Sequence, residues 1–424
     1  MTFLPKNWVI TDLKSIVEIL DHKRIPINSK ERQKRKENKK INELYPYYGA
    51  TGQVDYIDDY LFDGEYILLG EDGAPFLNPL KNKAYFVSGK FWVNNHAHIL
   101  RGYISNKYLC FYLNQYNFIE HVTGTTRLKL NQSSMKNITI KVAPFNEQNR
   151  IVEKIEELFS DLDKATDDLI KTQEQLKIYR QAVLKAAFEG KLTEEWREQN
   201  NIELSFKEIS LIDVADIILG QSPPSSTYNT NRVGLPFYQG KKEFGDLYPT
   251  PEKYCSEPKK IAEPDDILIS VRAPVGSTNF CRDKSCIGRG LVAIRVKERI
   301  KNYYLFYYLR YFVFNLIEKS TGTTFNAISK NVLEGFKVLL FSLQEQQQII
   351  NEIESRLSVC DKLEETIQQS LEKIDYLRQS ILKKAFEGKL VQQDSNDETA
   401  EKLLERIKLE KEKIELNNKK RKTR

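Results

Sequence analysis

Paired carboxylates, closely spaced histidines and a lysine pair beside a glycine are the residues of this sequence that could do chemistry. Glu71-Asp72 and Asp265-Asp266 have the acidic character of a nuclease metal site. Neither pair has a downstream Glu-x-Lys partner, so capping or solvating a turn suits them better. His96 and His98 would face one side if Phe91 to Leu100 is a strand, because side chains alternate along a strand. A metal site needs further ligands, which the sequence does not supply. Gly234 to Gly240 followed by Lys241-Lys242 fails as a phosphate-binding P-loop, in spacing and in lacking a Ser or Thr after the lysine. Asn78-Pro79-Leu80 and Ser222-Pro223-Pro224-Ser225 both fail the Asn/Asp-Pro-Pro-aromatic motif of methyltransferases. No catalytic residue and no metal ligand is assigned, and no cofactor is expected on this chain.

Recognition of a polyanion is the chemistry that remains. Arg127 and Lys129 follow Thr123-Gly124-Thr125-Thr126, Lys330 follows Thr321-Gly322-Thr323-Thr324, and Lys241, Lys242, Arg272 and Arg289 lie near other loops. Such cations neutralise phosphates, and Arg can also grip guanine edges; a solvated surface charge is the alternative for any one of them. Thr125, Thr126, Thr323 and Thr324 could meet phosphates through their hydroxyls, or each Thr-Gly-Thr-Thr could be a hinge between a head and a helix. Tyr47, Tyr48, Phe237 and Tyr238 could stack on displaced bases, although core packing is the preferred reading. With 65 Lys+Arg against 59 Asp+Glu, the net charge of +6 permits a nucleic-acid partner without demanding one.

Elements must hold these residues, and the chain repeats itself in supplying them. His121 to Leu192 aligns without gaps over Lys319 to Leu390 at a constant offset of 198, the difference between Gly322 and Gly124. Besides Thr-Gly-Thr-Thr, Glu147-Gln148 recurs as Glu345-Gln346, and Phe188-Glu189-Gly190-Lys191-Leu192 recurs as Phe386-Glu387-Gly388-Lys389-Leu390. Between these anchors Ile151, Ile155, Leu158, Leu162, Ala165, Leu169, Thr172, Leu176, Tyr179 and Val183 alternate steps of four and three, the heptad seam of a long coiled-coil-like helix. The second copy has its seam at Ile349, Ile353, Cys360, Leu363, Ile367, Ile374, Leu377 and Ile381, with Arg356 and Ser370 included. Each helix is expected to stop at Gly190 or Gly388, and the two to pair antiparallel within the chain and to dock subunits.

Upstream of each helix, short β-branched and aromatic runs with frequent Gly and Pro predict an α+β head of roughly 140 residues. The heads look related, because Gly64-Glu65-Tyr66-Ile67-Leu68-Leu69 resembles Pro264-Asp265-Asp266-Ile267-Leu268-Ile269, and Asn106-Lys107-Tyr108-Leu109 resembles Asn302-Tyr303-Tyr304-Leu305. The expected boundaries are 1–143 and 201–341 for the heads, 144–200 and 342–396 for the helical segments, and 397–424 for a charged helical tail. Cys110, Cys255, Cys281, Cys286 and Cys360 contain no CxxC pair and read as thiols of a reducing cytoplasm. Met1 to Ile10 lack a secretory pattern, and Tyr303 to Phe314 is short and interrupted by Arg310, so neither export nor membrane insertion is expected.

Head, Thr-Gly-Thr-Thr turn, Glu-Gln helix start and Phe-Glu-Gly-Lys-Leu helix end, all repeated once, resemble the specificity subunits of type I restriction-modification enzymes over nearly the whole chain. Pro46-Tyr47-Tyr48-Gly49-Ala50-Thr51-Gly52, Tyr60 to Gly64 and Leu69 to Gly73 are similar to the family's target-recognition domain, as are Leu235-Pro236-Phe237, Asp266 to Ser270 and Ile287 to Leu291 in the second head. The resemblance implies that each head reads one half of a bipartite target in double-stranded DNA. It also implies that the paired helices set the gap and seat two methyltransferase subunits, and that a motor-nuclease (restriction) subunit completes the complex. S-adenosylmethionine, ATP and Mg would then belong to partner subunits, with an adenine flipped into the methyltransferase pocket. Duplication would give the chain pseudo-two-fold symmetry, able to receive two identical partners. A helix of roughly 40 residues is on the order of 60 Å long, enough to separate half-sites about 34 Å apart per DNA turn. The alternatives are a stand-alone DNA-binding or anti-restriction protein of the same repeat, a structural coiled-coil adaptor, and a self-sufficient nuclease-methyltransferase, which the missing motifs disfavour.

Overall fold

The computed structural model describes residues 4–319 and 328–422. Thr321-Gly322-Thr323-Thr324, including the candidates Thr323 and Thr324, lies outside the described residues. The chain divides into two compact units, Met1–Leu169 with Gln368–Arg424, and Ile170–Ile367. The division falls inside both long helices, so each unit holds one half of each.

The first unit runs β1 (Val9–Asp12), α1 (Leu13–Ile16), β2 (Val17–Ile19), α2 (Ser29–Lys36), β3 (Tyr45–Gly49), β4 (Gly52–Ile57), β5 (Phe62–Gly70), β6 (Ala84–Val93), β7 (Ala97–Gly102), α3 (Asn106–Gln115), α4 (Gln132–Lys136), β8 (Thr139–Val142) and the start of α5 (Phe145–Phe188). Six strands form one sheet in the order β2-β7-β5-β6-β3-β4, while β1 pairs with β8. Only the β3–β6 pair within that sheet is parallel. Alternation along β5 sends Ile67 and Leu69 into one core and Leu68 into another on the opposite face.

The second unit continues with α6 (Glu194–Gln199), β9 (Lys207–Ser210), α7 (Leu211–Val214), β10 (Ala215–Leu219), β11 (Tyr228–Asn229), β12 (Leu235–Tyr238), β13 (Lys253–Cys255), β14 (Ile261–Ala262), β15 (Ile267–Ser270), β16 (Thr278–Phe280), β17 (Ser285–Ile287), β18 (Leu291–Val296), α8 (Asn302–Lys319), α9 (Lys330–Glu334), β19 (Lys337–Leu340) and the start of α10 (Leu343–Phe386). Its sheet β10-β18-β15-β16 has the order of β2-β7-β5-β6, and β19 pairs with β9 as β8 does with β1. Asn106 donates to the Glu65 carbonyl at 3.3 Å, and Asn302 to the Asp265 carbonyl at 2.6 Å. The heads are thus one architecture used twice. They part company outside it: α2, β3 and β4 extend the first, and a five-stranded sheet β11-β13-β12-β17-β14 extends the second.

Both long helices have 44 residues, about 66 Å at 1.5 Å per residue. Gly190 (φ 74°) and Gly388 (φ 69°) follow them in the left-handed conformation that favours glycine. A last helix, α11 (Ala400–Lys422), returns to the first head, burying Ala400, Leu403 and Ile407 in its core.

Several residues lie elsewhere than the sequence suggests. Phe91 to Leu100 is not one strand: β6 ends at Val93 and β7 begins at Ala97, so His96 occupies the turn between them. Along α5, Ile151, Ile155 and Leu176 are buried and Leu158, Leu162 and Leu169 half-buried; along α10, Ile349, Ile353, Cys360, Ile367 and Ile374 are buried. Leu363 and Leu377 are instead 45% and 49% exposed. The step from Cys360 or Ile374 is four residues rather than three, and it brings Glu364 and Arg378 to the half-buried positions. Arg378 meets Asp163 at 2.6 Å, and Arg180 meets Asp361 at 2.7 Å and Glu364 at 3.1 Å. Tyr47, Phe237 and Tyr238 are core residues and Tyr48 is half-buried.

Candidate nucleic-acid interface

In the first head the Thr-Gly-Thr-Thr segment is a loop of the head itself, not a hinge, since α4 and β8 separate it from α5. Thr123 and Lys129 exchange backbone hydrogen bonds of 2.9 and 2.8 Å, closing a tight turn. Gly124 (φ 99°) must be glycine there, because a Cβ would lie 2.5 Å from the Arg127 carbonyl oxygen. Thr125 and Thr126 stand exposed on the turn. The segment after it docks on the loop that follows β5: Leu130 N donates to the Glu71 carbonyl at 2.7 Å and Gly73 N to the Leu128 carbonyl at 3.1 Å.

Charges reinforce that docking. Arg127 bonds Asp72 at 2.6 Å, Lys129 lies 3.4 Å from Glu71, and Arg24 bonds the other Glu71 oxygen at 2.6 Å. Beneath them His98 Nδ1 lies 2.6 Å from Asp21, and its Nε2 lies 2.8 Å from the Leu130 carbonyl oxygen. Burial pushes the Asp21 carboxyl up, but the hydrogen bond and charge of His98, with hydrogen bonds from Gln132 and Ile99 N, outweigh it and hold it at about 2. The carboxylates Glu71 and Asp72 therefore brace cations on a loop and do not form a separate acidic site.

In the second head the equivalent bond recurs, with Ile328 N donating to the Val271 carbonyl at 2.9 Å. Val271 N in turn donates to the Gly290 carbonyl at 2.9 Å, and Gly288 N to that of Tyr238 at 2.8 Å. These bonds gather the ends of β12, β15 and β17, and with them Lys241, Arg272 and Arg289, all exposed and without an ion pair among the described residues. Lys242 instead pairs with Glu252 at 2.5 Å, and Lys330 with Glu334 of its own helix at 2.9 Å.

The repeated motifs at the helix ends hold each head in place. Gln148 donates to the Ala143 carbonyl and accepts from Ser105 N, and Gln346 does the same with Phe341 and Lys301 N. Buried Glu147 accepts from the Trp8 indole at 3.0 Å, whereas buried Glu345 pairs with Arg197 at 2.6 Å. Phe386 packs edge-on against Tyr108 and Tyr112, and Phe188 against Tyr304 and Tyr308. Each head thus receives the far end of the helix that follows the other head in sequence.

One cationic element escaped the sequence reading. Ser29 to Lys40 contains seven Lys and Arg in twelve residues, a visible signal that carries no apolar periodicity, and its first eight residues form α2 beside β4.

A family model described as the type I restriction modification DNA specificity domain matches residues 5–177 and again 204–373. The chain is 35% identical over 302 residues, 67% of each protein, to a Methanocaldococcus jannaschii protein provisionally named the MjaX type I restriction enzyme specificity subunit. It is 24% identical to the EcoDI type I restriction enzyme specificity subunit of Escherichia coli over 96% of both chains. Among solved structures, a chain from work on complex assembly and conformational transition of the type I R-M system matches with a TM-score of 0.69 and 28% identity, over 91% of this chain and 99% of that one. The HsdS subunit of Thermoanaerobacter tengcongensis matches with a TM-score of 0.55 and 27% identity, over 91% and 98%.

Proposed function

This chain belongs to the type I restriction modification DNA specificity family as a DNA-recognition subunit, and we propose that its two heads, 1–143 and 201–341, each read one half of a bipartite duplex target. The observation that carries this reading is the equivalent docking of Leu130 on Glu71 and Ile328 on Val271. One scaffold presents the same edge in both heads but arms it differently, with Arg127 and Lys129 in the first and Lys241, Arg272 and Arg289 in the second. Phosphate contacts would fix the register of each head, and the arginines would reach base edges.

The helical segments 144–200 and 342–396 pair as an antiparallel coiled coil and set the gap between half-sites. The reciprocal ion pairs support this, because Arg180 with Asp361 and Arg378 with Asp163 are the same pair of repeat positions with the copies exchanged. Such reciprocity is what a pseudo-two-fold arrangement requires. Ile178 and Tyr179, with their repeat equivalents Tyr376 and Leu377, are exposed apolar residues, and they suit the docking of two methyltransferase subunits. The chain itself is non-catalytic and works in the cytoplasm, S-adenosylmethionine, ATP and Mg acting on the methyltransferase and motor-nuclease partners; no described helix is long and apolar enough to cross a membrane.

Co-expression with a methyltransferase subunit, followed by base-resolved mapping of methylated DNA, tests the reading. A complex of one chain with two methyltransferases marking a split motif is the expected result. A chain that purifies alone and marks no motif would favour the stand-alone binder.

A further inference from the structure

We propose that α2 of the first head is a phosphate-binding arm that grips the backbone of duplex DNA beside the bases the head reads, an inference resting on the DNA-recognition reading above. The helix buries no residue, and eight residues without an apolar face are too few to stand as an isolated helix. Side-chain charge holds it instead. Arg32, Arg35 and Lys36, with Lys39 just beyond, share one helical face and meet aspartates of β4 and the turn after it. Arg32 and Lys36 reach Asp55 at 3.1 and 2.5 Å, and Arg35 and Lys39 reach Asp58 at 2.5 and 3.1 Å. The guanidinium groups of Arg32 and Arg35 also lie over the rings of Tyr47 and Trp92.

The other face carries Lys30, Gln33 and Lys34, spaced one turn apart and exposed. Their side chains have no hydrogen bond or ion pair among the described residues. A cationic helix held on one side by Asp55, Asp58 and Asp59 therefore displays Lys30 and Lys34, neither of them in an ion pair, on the other. The chain entering α2 is fixed to the candidate interface, since Arg24 bonds Glu71 at 2.6 Å and the Ala97 carbonyl at 3.0 Å, and the Trp92 indole donates to the Ile25 carbonyl at 2.8 Å. The complementary occupant is a regular polyanion next to that interface, the sugar-phosphate backbone. Lysine suits it as a mobile point charge that neutralises phosphate without choosing a base. Between β10 and β12 the second head has the short β11 and no α-helix, so the arm is peculiar to the first half-site.

The test titrates the full-length chain and its K30Q/K34Q variant against a fluorescent mixed-sequence duplex over a series of salt concentrations. Weaker binding is expected, with the slope of log K against log salt shallower by about 2, from roughly 0.9 per lysine. The melting temperature should not move, because neither side chain has a partner to lose. A K30E/K34E variant should bind more weakly still. An unchanged slope, or a wild-type chain that does not bind the duplex, overturns the proposal. So does a methylated motif that changes in the variant complex, which would make α2 a base reader. Failure of the underlying reading registers separately, as a wild-type complex that marks no bipartite motif whatever the slope.

Discussion

His98 joins three segments of the first head through one ring, with the Asp21 carboxylate on Nδ1 and the Leu130 carbonyl on Nε2. Asp21→Asn would remove the buried carboxylate shared by His98, Gln132 and the Ile99 amide, and a loss of about 3 kcal/mol in denaturant unfolding is expected, along with faster amide exchange at Lys129 and Leu130. Because the Asp21 carboxyl is held at about 2 against an ordinary 3.8, its contribution is complete above the ordinary value and disappears as pH falls from there toward 2. Acid unfolding followed by circular dichroism should show this loss in the native chain and not in the variant. Arg127 and Lys129 could be singled out from sequence because their neighbours in the chain mark them. Their carboxylate partners Asp72 and Glu71, and the Asp21–His98 pair, were not legible, since contacts between residues 55 or 77 apart leave no local pattern.

At the scale of elements, the Phe-Glu-Gly-Lys-Leu repeat stood out in the sequence as a helix end, and the glycine caps follow from it. What Phe386 packs against did not, because Tyr108 and Tyr112 belong to the other repeat. Phe386→Ala should therefore cost about 3 to 5 kcal/mol and loosen the first head, although the residue follows the second; hydrogen exchange should lose protection in α3 and spare α8. Apolar periodicity likewise misplaced part of the helix seam at Leu363 and Leu377. It could not foresee Glu364 and Arg378, whose charges are tolerated there because partners at positions such as Arg180 and Asp163 neutralise them. α2 went unread for the same reason, being held by ion pairs and rings rather than by an apolar stripe.

At the scale of the whole molecule, the duplication was legible as a fixed offset, and two heads of one architecture follow from it. Their different extensions were not, since residues 25–60 and 220–262 share no recognisable pattern. If the helices are the ruler of the proposed function, removing one heptad from each shortens them by about 10 Å, or roughly three base pairs. The gap in the methylated motif should shrink accordingly while both half-sites keep their sequence, and mapping of methylated bases reads this directly; an unchanged gap would dismiss the ruler.

The first unit draws its core from both ends of the chain, with Trp8 and Leu13 packed in one cluster with Phe386, Leu403 and Ile407, whereas the second is the uninterrupted segment Ile170–Ile367. On the ribosome this reverses the usual order, in which the part made first folds first. The leading head must wait, incomplete, until the last of its core has been translated, while the later one can finish as soon as its own segment emerges. Chains arrested after residue 367 should accordingly show a protease-resistant second unit and a sensitive first one.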